Sequence, residues 1–151
     1  MATIQVGGFF CEDIREEKSG QDTIVGILPD NMFVATFPSV TPRVGIYLRV
    51  HFNPLKPPKK ITAKFTAPWG ESFAIGLAEK EIIDVAVAQA KERSLPLTGV
   101  ILKAMMVPFK MQQAGLALAT VSVDGGKDVV CAMLNLIEGT TAASSTEQQQ
   151  P

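Results

Sequence analysis

The sequence predicts a mainly β protein, an antiparallel β-sandwich of eight or nine short strands with one helix. Three observations carry that prediction. Apolar and polar side chains alternate with a period of two through most of residues 4–137, the signature of strands with one buried face. Turn-forming clusters of Gly, Pro, Asn and Asp separate these runs. Only residues 79–94 switch to helical spacing, so the strand–helix alternation of a parallel sheet is missing. A closed β-barrel is the competing architecture, because periodicity counts strands without fixing closure.

Residues 4–17 begin as a strand and become charged, with Phe9, Cys11, Asp13 and Arg15 alternating with Phe10, Glu12, Ile14 and Glu16. A polar break at 18–22 returns the chain into 23–28, a first hairpin. Residues 32–37 read as a short edge strand, and Pro38 and Pro42 bracket a loop, since neither can donate to a ladder. The clearest strand is 43–52. Val44, Ile46, Leu48, Val50 and Phe52 lie on one face, and Arg43, Gly45, Tyr47, Arg49 and His51 on the other. After the loop NPLKPPKK, residues 61–67 turn Ile61, Ala63, Phe65 and Ala67 inward. The turn at 68–71 then leads to 72–77, with Phe73, Ile75 and Leu77 inward.

In the helical stretch Ile83, Ala86, Val87 and Ala90 form the apolar stripe. Glu79 and Glu81 near its start and Lys91 and Arg93 near its end complement the helix dipole. The stripe is expected to cover an open sheet end at the outer face of the C-terminal hairpin. Residues 100–107 are apolar on both sides apart from Lys103, which reads as a central strand ended by Pro108. The hairpin occupies 115–137 and turns at Gly125-Gly126, opposing Val121 to Val130, Ala119 to Ala132 and Ala117 to Leu134. Residues 1–138 are thus one sandwich domain, and the small polar segment 139–151 is expected to be a disordered tail.

Composition sets the function classes. At 151 residues, 46% apolar and 19% charged, the chain suits one globular domain, which removes roughly 70% of its unfolded surface from water. The start MATIQVGGFF lacks the pattern of a signal peptide, and no apolar run reaches the roughly 20 residues needed to span a bilayer. Cytoplasmic residence without membrane association is the expectation. Cys11 and Cys131 lie in apolar strand-like runs and read as two buried free thiols rather than a disulfide.

No catalytic, metal or cofactor centre is legible. A nucleophilic cysteine needs a base or cationic neighbours, and the one histidine, His51, is predicted to point outward from another strand. One His and two Cys 120 positions apart match no zinc spacing. Asp124-Gly125-Gly126-Lys127 is a hairpin tip, not a phosphate loop.

Charge is polarised along the chain. Residues 31–70 hold six basic and no acidic residues, whereas 12–30 hold six acidic and two basic ones, in a protein of net charge −1. If strands 43–52 and 61–67 pair, Arg43, Tyr47, Arg49, His51 and Lys64 share a solvent face suited to an anionic partner. The plain alternative is that these are the solvated side chains any half-exposed sheet carries. Nucleic acid is disfavoured, since Tyr47 and Trp69 are the main exposed stacking surfaces and the net charge is negative.

The stretch FFCEDIREE, with IVGILPDNM after it, resembles an uncharacterised family of small bacterial proteins. The matching positions are Phe9, Cys11, Glu12, Asp13, Arg15, Glu17, Gly26 and Asp30. The likeness extends over 37–50 and the 115–125 strand, and implies a β-rich domain without supplying a mechanism.

Two functions follow. The leading one is a non-enzymatic binding or assembly module acting through a sheet face or edge, with another protein or a second copy as partner. The other is a small-molecule or glycan-binding sandwich, or a weak enzyme, using a cleft near Cys11, Asp13 and Arg15.

Overall fold

The structure, a computed structural model, describes residues 3–139. In chain order the elements are β1 (Gln5–Glu16), β2 (Asp22–Ile27), β3 (Asn31–Val34), β4 (Ser39–Thr41), β5 (Val44–Phe52), β6 (Ile61–Thr66), β7 (Ser72–Ala78), α1 (Lys80–Glu92), β8 (Thr98–Met106), β9 (Phe109–Met111), β10 (Gly115–Val123) and β11 (Val129–Glu138). Sheet A has the order β2-β1-β5-β8 and sheet B the order β3-β11-β10-β6-β7, while β4 and β9 form a two-stranded ribbon. Among the described residues no ladder joins sheet A to sheet B, so the architecture is a sandwich and not a closed barrel. The two strands beyond the expected nine are β4 and β9, whose three residues each are too few to show a period. One pairing departs from antiparallel: β3 runs parallel to β11. The expected tail lies outside the described residues, apart from Gly139. Among the described residues no helix is long and apolar enough to cross a membrane.

Alternation in β5 builds the core. Val44, Ile46, Leu48, Val50 and Phe52 are all fully buried, and they join one cluster with Ile61, Ala63 and Phe65 of β6 and Ala117, Ala119 and Val121 of β10. Phe65 sits at an aromatic junction, with ring centroids 5.0 Å from Phe73, 6.0 Å from Phe109 and 6.2 Å from Phe10. The alanines of β6 and β10 leave room for these rings and branched side chains, as interdigitating inner faces require.

Helix α1 buries Ile83, Val87 and Ala90 and leaves Ala86 half-buried. It lies against β7 and β8, not over the C-terminal hairpin as the sequence suggested. Connectivity explains the difference: β7 ends sheet B, β8 borders sheet A, and the helix bridges that side of the sandwich. Strand β8 is consequently an edge strand rather than a central one. Among the described residues it pairs only with β5, and its second apolar side leaves Ile101 45% exposed.

Two bulges shift the period. In β7 the pairing steps from Ala63–Gly76 to Lys64–Ala74, leaving Ile75 as an extra residue. Beyond it Ala78 is buried and Leu77 is exposed, reversing the orientation expected for Leu77. In the β10–β11 hairpin Ala117–Leu134 and Ala119–Ala132 pair as expected, but Cys131 is an extra residue. Val130 therefore faces Thr120, and Val121 faces Val129.

The hairpin turn sits one residue earlier than Gly125-Gly126. Asp124 and Gly125 have φ of 53° and 72°, and the Gly126 amide donates to the Val123 carbonyl at 2.9 Å, which defines a primed turn. Aspartate tolerates this backbone and serves a second purpose. Its Oδ1 accepts the amides of Lys59 and Lys60 at 2.8 and 2.9 Å, tying the hairpin tip to the loop that enters β6. In urea denaturation, Asp124→Ala is expected to cost about 1–3 kcal/mol. Asp124→Asn, which keeps an acceptor and the turn conformation, should cost less. Asp128→Ala removes only the exposed pair with Lys64 and should cost no more than about 1 kcal/mol.

Candidate functional site

Register in sheet A arranges its outer side chains in rows across three strands. Gln5, His51 and Gly99 form the first row, Gly7, Arg49 and Ile101 the second, Phe9, Tyr47 and Lys103 the third, and Cys11, Gly45 and Met105 the fourth. Phe9 and Tyr47 stack with centroids 5.4 Å apart and planes 16° from parallel. Arg49 is exposed in the next row and has no ion-pair partner among the described residues. Glycine at position 7 leaves open space beside it, and shallow hollows of about 300 and 260 Å³ flank Arg49 and His51.

The lower part of this face is closed. Lys103 Nζ pairs with Asp22 and, at 3.0 Å, with Glu16, and the hydrogen bond to Asp22 leads in pushing the ammonium pKa up. These acids belong to the far end of the β1–β2 hairpin, so that end folds over the outer surface of sheet A. Ile14 comes with it. A Cβ on Gly45 would lie 3.1 Å from Ile14 Cδ1 and 2.8 Å from both Cys11 Sγ and Met105 Sδ.

Cys11 is therefore sealed. Burial first, and then the charge of Asp13, push its thiol pKa up, the reverse of what a nucleophile needs. Its row is six residues along β1 from that of His51, about 20 Å at strand rise, so the two cannot work as a pair. Cys131 is half-buried, free of any disulfide, and pushed up to about 11 by burial. Among the described residues no three His, Cys, Asp or Glu side chains gather as metal ligands would.

The expected basic face is not one surface. Strand β5 pairs with β1 and β8, whereas β6 pairs with β10 and β7, so the two lie in different sheets. Both are amphipathic, and their apolar faces meet across the core instead of side by side. Tyr47, Arg49 and His51 stay together on sheet A. Lys64 lies on sheet B, where it pairs with Asp128 at 2.9 Å. Arg43, just before β5, turns into a separate cleft.

That cleft, about 400 Å³, lies between the β1–β2 hairpin and the segments leading into β3 and β5. Asp13 organises its rim. Oδ2 accepts from Arg15 Nε at 3.3 Å, while Oδ1 accepts from Arg43 Nη1 at 3.3 Å and from the Ile14 amide at 3.0 Å. Burial alone would raise the Asp13 pKa, but the hydrogen bonds from Arg15 and Arg43, with the charge of Arg43, hold it below the ordinary carboxylate value. Glu12 lines the same cleft and leans on Gly26, where a Cβ would lie 2.6 Å from its carboxylate and φ is +64°. The sequence brought Asp13 and Arg15 together on one strand. Arg43 and Glu12 joined them only once β1 was known to neighbour β5 and β2.

These surfaces belong to a two-sheet, mainly β sandwich domain with a polar outer face and a charged lateral cleft. The chain is a member of the family of unknown function DUF6941, whose model matches residues 7–133. The match runs from β1 into β11 and takes in the stretch FFCEDIREE and the IVGILPDNM that follows it. No curated protein matches the chain.

Two measurements check this geometry. Both thiols should label slowly in the native protein at neutral pH and rapidly in denaturant, since each has a raised pKa. Because the native pKa of Asp13 is lowered, its contribution to stability is present above pH ~4, where an unfolded aspartate is ionised, and is lost as pH falls through the native value. Asp13→Asn should therefore flatten the acid limb of a plot of urea midpoint against pH.

Proposed function

We propose that the protein is a non-enzymatic binding and assembly module that engages an acidic protein surface, a second copy of the chain included, through the outer face of sheet A. The observation that carries this reading is Arg49, exposed and without an ion-pair partner among the described residues, beside the stacked Phe9 and Tyr47. Arginine and aromatic side chains concentrate binding energy at protein interfaces. A rigid sheet holds these three in fixed register, which limits the ordering entropy lost on contact. The buried Cys11, remote from His51, supports a role without covalent chemistry.

The chain also carries a complementary surface. Glu16 and Glu17 are exposed at the end of the β1–β2 hairpin, within the acidic stretch 12–30. Contact between that end of one copy and Arg49 of another joins two patches on the same outer side of sheet A, so it can close reciprocally as a two-fold dimer or repeat head to tail. Such contact is screened by salt, with the Debye length falling from about 30 Å at 0.01 M to about 3 Å at 1 M. Size-exclusion chromatography with light scattering should show assemblies at low salt that dissociate at high salt and are absent in Arg49→Glu. A chain that stays monomeric at every concentration and salt level, with Arg49→Glu indistinguishable from it, overturns the self-association.

A further inference from the structure

The lateral cleft carries a site of its own, separate from the outer face of sheet A. Each guanidinium there spends one donor on Asp13, and an arginine side chain has five N–H groups. Arg15 and Arg43 are 65% and 52% exposed, so their remaining donors are open to a ligand, while Asp13, only 19% exposed, fixes both from behind. Two guanidinium groups anchored on one carboxylate form a preorganised fork for planar anion recognition. Below the rim the cleft is lined by Val25, Leu28, Met32 and Val44. Its volume of about 400 Å³ falls within the range of small-molecule pockets.

Charge balance narrows the ligand. Glu12 and Asp13 offset Arg15 and Arg43, so the site as a whole is neutral and repels a multiply charged anion at its Glu12 side. A single carboxylate, with its charge confined to the fork and an apolar body below it, meets both requirements. We infer that the cleft between the β1–β2 hairpin and the start of β5 binds a small monocarboxylate with an apolar body, held by Arg15 and Arg43. This does not rest on the proposed role of the sheet face.

Hexanoate serves as the probe, with hexylammonium and inorganic phosphate as controls, in titrations of the full chain followed by amide resonance shifts. Hexanoate should move the resonances around Asp13, Val25 and Arg43 in a saturable manner, and neither control should. Arg43→Gln and Arg15→Gln should each weaken binding about tenfold, which is about 1.4 kcal/mol. Arg15 is mostly exposed, so its variant tests the site even if Arg43→Gln is destabilised through Asp13. Arg49→Gln should leave hexanoate binding unchanged, which separates this site from the sheet face. Absence of saturable shifts with hexanoate, equal binding of hexylammonium or phosphate, or unchanged affinity in both arginine variants would overturn the assignment.

Discussion

Burial along β5 is the constraint on which the rest of the structure depends. Its five inward side chains are held in the core while the same strand carries a neighbour on each side, β1 and β8. Fully burying a branched or aromatic side chain is worth roughly 1.5–3 kcal/mol, so slipping β5 by one residue would forfeit several such contributions at once. Tyr47, Arg49 and His51 are consequently held outward with a firmness set by side chains on the opposite face. Phe9 is brought to Tyr47 by the same register.

Much of this frame was legible from residue order. The inward sets of β5 and β6 are as the alternation predicts, and the single helix falls where the period changes. Strand neighbours were less accessible. Two consecutive amphipathic strands can lie side by side or face each other across a core, and their side-chain patterns are identical in both cases. The loop between β5 and β6 did contain a clue. NPLKPPKK is eight residues long with three prolines, too long for a tight hairpin and suited to a passage from one sheet to the other.

Bulges account for the remaining misplacements. One extra residue is enough to expose Leu77 and to shift Val130 from its expected place opposite Val121, and no count of apolar positions detects it. Gly76 was the only local hint in β7, since glycine within a strand often accompanies such irregularity. The Asp13–Arg43 contact spans 30 positions and the Lys103–Asp22 contact 81. The first continues the β1–β5 register that sets Cys11 opposite Gly45, while the second requires the far end of the β1–β2 hairpin to curl over the sheet, a curvature that belongs to packed layers rather than to any short stretch.

The glycine that accommodates Glu12 also bears on how the molecule behaves in a crowd. Gly26 places a left-handed residue inside β2, the border strand of sheet A, while β3, the border of sheet B on the same side, is four residues long. On the other flank α1 lies against β7 and β8. Among the described residues the β2–β3 flank therefore presents no long, regular row of free amides and carbonyls on which a foreign strand could grow. Copies that meet along that flank lack a template for extending one sheet into the next.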